Sequence, residues 1–189
     1  MAQKLIKYIT KEEFEQVLKA EKKKEFKLAY CLAFGSGLRI SEIIGYKGHS
    51  KRTNKKTGEL IEKDTEVQPL TSNNVDLQAH QIRIIGGKGQ KDRITVTSPW
   101  LNETNIKLLP LKIKRTTLQG RFQRLALKVL GRKINFNTLR LGFGNYMVNY
   151  KNVPLPMVQT LMGHSRIDTT GIYTKANPKQ AVDRAWEVF

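Results

Sequence analysis

The apolar positions at the start of the chain recur at helical spacing. Thr10 and Glu13 form a capping box, and Phe14, Val17 and Leu18 lay a stripe behind it, which predicts a helix over 11–21. The run EFKLAYCLAF predicts a second helix that stops at Gly35-Ser36-Gly37, and LRISEIIGY a short third one carrying Arg39 near its start. Residues 47–58, KGHSKRTNKKTG, hold five Lys/Arg, no acid and few apolar groups. Such a segment has nothing to bury, so it reads as a flexible basic loop or hairpin, the first part of an insertion over 47–68. Beyond Pro69 the pattern changes period: NVDL, QIRII and RITV alternate, are rich in β-branched residues and are separated by short turns, including Gly86-Gly87-Lys88-Gly89. A small antiparallel sheet is expected there.

Helical spacing then returns. Thr116 or Thr117 can cap a helix through QGRFQRLALKVL, which ends at Gly131 and places Phe122, Leu125 and Val129 on one face. Further helices are expected at TLRLGFGNYMVNY, at LPMVQTLMG with Pro156 in its first turn, around DTTGIYTK, and at PKQAVDRAWEVF. The fold class expected is α+β, mainly α-helical with a small antiparallel β-sheet, in one domain spanning 1–189.

Composition adds a partner. With 39% hydrophobic and 26% charged residues the chain is neither disordered nor membrane-embedded in character. No apolar run reaches the roughly 20 residues of a membrane span, and the first residues lack a signal peptide's apolar stretch, so an intracellular, cytoplasmic protein is expected. Cys31 stands alone and reads as a small hydrophobe buried in a helix; with His49, His80 and His164 it offers no metal-ligand spacing. The 34 Lys+Arg exceed the 16 Asp+Glu by a net +18, which points to a polyanion. Nucleic acid leads; an anionic membrane surface is the alternative. From Thr104 to Ile167 there is no acidic residue, and so one-signed a block reads as a phosphate-facing half.

Four segments in order then resemble the tyrosine recombinases of the phage-integrase and Xer type: GLRISEI around Arg39, IIGGKGQKDRITV around Lys88, NTLRLGFGNYMV around Arg140, and LMGHSRIDTTGIYTK around His164 and Tyr173. The last is the most specific, with nine positions from His164 to Tyr173. The resemblance implies double-stranded DNA as substrate and partner, and no metal or other cofactor. It also implies strand cleavage by Tyr173 to a 3′-phosphotyrosine, with Arg39 and Arg140 on the phosphate, Lys88 as general acid and His164 assisting proton transfer. The residue types suit that work. Cleaving a phosphodiester this way takes a nucleophile, cations for the phosphorane's developing charge and an acid for the departing 5′-oxygen. Arginine's planar fork holds two phosphate oxygens and stays charged. Lys91, close by in the same turn, is an alternative to Lys88. GGKGQK is not a nucleotide-binding loop, because Gly89 follows Lys88 where Ser/Thr is needed and Ile82 stands where the first glycine should.

Three departures from the family stand out. Asn137 occupies the place of the usual histidine three positions before the second arginine; it can donate a hydrogen bond but cannot move a proton, so a slower enzyme is expected. No core-binding helical domain is expected ahead of Lys11, and the separation of 49 positions from Arg39 to Lys88 is long, with 47–68 as the insertion. The tail 177–189 offers Ala181, Val182, Ala185, Trp186 and Phe189 as an apolar face. In the family such tails link protomers into a tetramer on DNA; packing back on its own core fits equally. DNA contacts are expected from Lys51 and Arg52 in the insertion, Lys91 and Arg93 at the sheet, and Arg115, Thr116, Gln119, Arg121 and Arg124 on the long helix. The competing readings are a catalytically weak or inactive DNA-binding descendant of a recombinase, and a type IB topoisomerase.

Overall fold

A computed structural model describes residues 8–53, 58–86 and 92–163, without the side chains of Arg52, Ile61 and Lys63. The first helix, α1 (Lys11–Ala20), starts as its capping box requires: the Glu13 amide donates to Thr10 Oγ1 at 3.2 Å and the Thr10 amide to the Glu13 carboxylate at 3.0 Å. Helix α2 (Lys24–Gly35) is apolar around most of its circumference and is correspondingly buried on nearly all sides. Phe14 stacks on Phe34 at 4.2 Å between centroids and Trp100 meets both edge-on, which locks α1 to α2. Cys31 lies in this buried helix, and burial pushes its thiol up to about 12.

The α1–α2 corner is tied to a distant helix by one acid. Glu21 is buried and accepts from the amides of Lys22 and Lys23, the Tyr30 hydroxyl, and the Arg121 guanidinium at 2.6 and 2.8 Å. Burial raises its pKa, but Arg121 and these donors outweigh it and hold the carboxyl below its ordinary value. Arg121 belongs to α5 (Arg115–Leu130), which packs Leu118, Phe122 and Ala126 inward and ends at Gly131 in the left-handed conformation. Lys114, rather than Thr116 or Thr117, stands at its N-cap, with no side-chain cap. Phe122 meets Tyr30 and Phe136 edge-on, extending the aromatic core towards α6 (Asn137–Asn145). Helix α6 crosses α2 closely because Gly142 has no side chain: a Cβ there would stand 2.6 Å from the Ile9 carbonyl and 2.8 Å from the Phe34 ring.

The strands form two small sheets where one was expected. The basic segment resolves as the hairpin alternative: β1 (Tyr46–Thr53) pairs antiparallel with β2 (Leu60–Val67). Its register sets Lys47 opposite Glu66, His49 opposite Asp64 and Lys51 opposite Glu62, so the backbone pairing is accompanied by complementary side chains facing one another along one side. The expected sheet is β3 (Val75–Asp76), β4 (Gln81–Ile84) and β5 (Arg93–Val96), in that order and antiparallel. Ile82 and Ile84 point to the core, and Thr95 donates to the Ser36 carbonyl at 2.8 Å, fastening β5 to the turn before Arg39. A short helix α4 (Glu103–Ile106), capped by reciprocal Asn102–Asn105 bonds, went unforeseen, and the helix expected through TLRLGFGNYMVNY finishes as a π-helical turn, Tyr146–Tyr150, continuing α6. Helix α7 (Leu155–Met162) packs against β5 and ends at Gly163.

Candidate active site

Arg39 occupies the N-cap of α3 (Ile40–Ile44), so its backbone is held outside the helix while its side chain is free to reach back. Glu42, one turn on, receives the Arg39 amide at 2.7 Å and its guanidinium at 3.0 Å. That carboxylate is fully buried, and two further guanidiniums reach it: Arg93 from β5 at 2.8 Å and Arg140 from α6 at 4.0 Å. Burial alone would drive the Glu42 pKa up; Arg93, the Arg39 amide and the charges of Arg39 and Arg140 more than offset it, so Glu42 stays ionised. Three arginines against one carboxylate leave a local excess of positive charge, which is what a phosphate needs.

The other wall is the end of α7. Its last carbonyls have no helical partner and carry the negative end of the helix dipole. All three arginines use them. Arg140 donates to the carbonyls of Met162 and Gly37, Arg93 to that of Leu161, and Arg39 to Met162 at 3.5 Å and Gly163 at 3.3 Å. Arg140 and Arg93 are almost wholly enclosed, whereas the Arg39 side chain keeps 22% of its surface exposed and its carbonyl contacts are long. A phosphate oxygen can displace those contacts at small cost. Gly163 turns the chain away with φ +61°, in the left-handed region that favours glycine.

Arg39 and Arg140 are therefore brought together, and Asn137 stands exposed at the start of α6, one turn before Arg140. Lys88, Lys91, His164 and Tyr173 lie outside the described residues, as does the tail 177–189. Among the expected DNA contacts, Arg115, Thr116 and Arg124 are exposed on α5 and Gln119 is half-buried. Arg115 also sits 6.0 Å from the Tyr46 ring, linking α5 to the hairpin. Two of the expected contacts have partners within the protein. Arg93 is turned inward onto Glu42 and Leu161, with 9% of its side chain exposed, on a short strand packed against α7. Arg121 is taken up by buried Glu21 and lies over the Phe26 ring at 4.8 Å. Lys51 is exposed but ion-paired with Glu62 at 2.5 Å, and Arg52 lies beside it on β1. Glu42 was missed in the sequence; its signal was the capping-box spacing from Arg39.

The architecture resembles solved recombinases. It matches the crystal structure of XerA recombinase with a TM-score of 0.69 at 18% identity, over 99% of this chain and 65% of that one. XerH recombinase bound to its difH substrate after cleavage matches at 0.66 and 19% identity, over 97% and 54% of the two chains. The catalytic domain of bacteriophage HP1 integrase matches at 0.57 and 15%, with 94% of both chains covered. The fold is thus that of a tyrosine recombinase catalytic domain. The model of the phage integrase family matches residues 7–180, and this chain belongs to that family. Among its relatives, the tyrosine recombinase XerA of Pyrococcus horikoshii is 25% identical over 96% of this chain and 62% of its own length. XerD of Ralstonia nicotianae is 29% identical over 76% and 46%. The chain spans about three-fifths or less of the length of these relatives.

Proposed function

We propose that this chain is the catalytic portion of a site-specific DNA recombinase that cuts and rejoins strands through a covalent bond between Tyr173 and a DNA phosphate. One observation carries the reading: Arg39 and Arg140, far apart in the chain, share the Met162 carbonyl and face the same buried carboxylate. In this reading their forks hold the non-bridging oxygens of one phosphodiester, for which Arg140 exchanges its contacts with the Gly37 and Met162 carbonyls. The Tyr173 oxygen attacks phosphorus, the bond to the 5′-oxygen breaks, and Lys88 supplies the proton that makes it a 5′-hydroxyl. The phenolic proton leaves by way of His164. One phosphodiester has replaced another, so attack by an incoming 5′-hydroxyl reverses the step without ATP.

Double-stranded DNA is the partner, held in part by phosphate contacts from exposed Arg115 and Arg124 on α5. Assembly of several copies on DNA through the tail 177–189 belongs to the same reading. Asn137 lowers the rate rather than abolishing it, since it still donates a hydrogen bond to a phosphate oxygen but cannot move a proton. The test uses nicked duplexes with a randomised core, run on denaturing gels. Wild-type protein should give a shifted DNA-linked band that is lost in Tyr173→Phe; DNA binding without any such band would favour the inactive DNA-binding descendant.

A further inference from the structure

We infer that Arg93 is a positioning residue for strand cleavage, joining the arginine cluster to the segment that leads into His164; the inference rests on the recombinase reading above. Its guanidinium spans two parts of the site. One nitrogen donates to Glu42 at 2.8 Å, the carboxylate that also orients Arg39, and the other donates to the Leu161 carbonyl in the last turn of α7. Arg93 opens β5 and follows Lys88 by five positions in the chain. A single side chain thus connects the strand that follows Lys88 in the chain, the carboxylate beneath both phosphate-binding arginines, and the helix end that precedes His164 in the chain.

Two further observations separate this from ordinary core packing. Arg93 Nε is buried with no hydrogen-bond partner among the described residues, so that among them the guanidinium is held through its two terminal nitrogens. Gly163 is shaped around the same side chain: a Cβ there would stand 2.5 Å from Arg93 Cδ and 2.9 Å from Nε. The glycine next to His164 therefore serves the passage of Arg93 as well as the left-handed turn.

Arg93→Lys keeps the charge but replaces the two separate nitrogens that meet Glu42 and Leu161 by one ammonium, so the cluster should lose alignment. Single-turnover adduct formation on the nicked randomised-core duplexes should slow by about a hundredfold, the usual scale for a reacting group displaced by about 1 Å, with DNA affinity unchanged. The deciding readout replaces the scissile phosphate by a neutral methylphosphonate. That linkage develops less negative charge, so it depends less on arginine alignment, and the gap between wild type and Arg93→Lys should shrink at least threefold. A variant that was merely less stable would lose the same fraction on both linkages. Gly163→Ala leaves every charge in place and should show the same linkage-dependent loss, deciding the matter if Arg93→Lys does not fold. Rates at the wild-type level, or equal losses on the two linkages, overturn the assignment of Arg93 alone. Wild-type protein that forms no adduct on any duplex overturns the recombinase reading and this inference with it.

Discussion

Replacing Glu42 by glutamine puts a number on the cluster. The carboxylate is fully buried, 3.0 Å from Arg39, 2.8 Å from Arg93 and 4.0 Å from Arg140, with the Arg39 amide at 2.7 Å. At an effective dielectric near 20, each pair at about 4 Å contributes about 4 kcal/mol of attraction, most of which burial of the charges offsets. Removing one partner leaves buried cations uncompensated, which costs about 3–5 kcal/mol; because glutamine keeps the size and one acceptor, the lower end, about 3 kcal/mol, applies. For a domain of this size that lowers Tm by about 6–12 °C. Thermal unfolding followed by circular dichroism measures it. The pH dependence gives an independent check. Because the folded-state pKa of Glu42 lies below its ordinary value of 4.5, its contribution is present above that value and is lost as pH falls through the lower folded value. The stability difference between wild type and Glu42→Gln should therefore be full at pH 7 and shrink under acid. A difference below about 0.5 kcal/mol at pH 7, the size of an ordinary surface substitution, or one unchanged under acid, would refute the hub.

Other outcomes follow from the same contacts. Gly142→Ala should destabilise by about 1–3 kcal/mol in urea unfolding, since its Cβ meets the Ile9 carbonyl and Phe34. Arg121→Gln should lower stability by about 1–3 kcal/mol by depriving Glu21 of its charged donor, while Arg124→Gln should leave stability alone and reduce the salt slope of DNA binding by about 0.9, both read by unfolding and fluorescence anisotropy. Cys31, buried and with its thiol pushed up to about 12, should not react with Ellman's reagent at pH 8 until the protein is denatured.

Local rules made the helical frame readable. Thr10 and Glu13 announce α1, Gly131 closes α5, and the alternation in QIRII marks β4, because in each case the signal lies within a few residues of the element. The 47–68 insertion stayed open between loop and hairpin because LIEKDTEV is mostly polar; the residues that face it across the ribbon are not displayed by a single strand. The ion pairs of Arg93 and Arg121 escaped for a related reason. Both look like solvent-facing basic residues until Glu42 and Glu21, 51 and 100 positions away, fold against them. Glu42 shows the same limit from the other side: its spacing from Arg39 reads as a helix cap, and only the arrival of Arg93 and Arg140 makes it the centre of the site.

The claim underlying all of this is that the arginine cluster presents a DNA phosphate to Tyr173. Mass spectrometry of the trapped adduct, after nuclease and tryptic digestion, tests it most directly. The account predicts a nucleotide on Tyr173 within the tryptic peptide 167–175, formed far more slowly in Arg39→Ala and Arg140→Ala. A nucleotide attached to any other residue, or an adduct formed at the wild-type rate without both arginines, would contradict it.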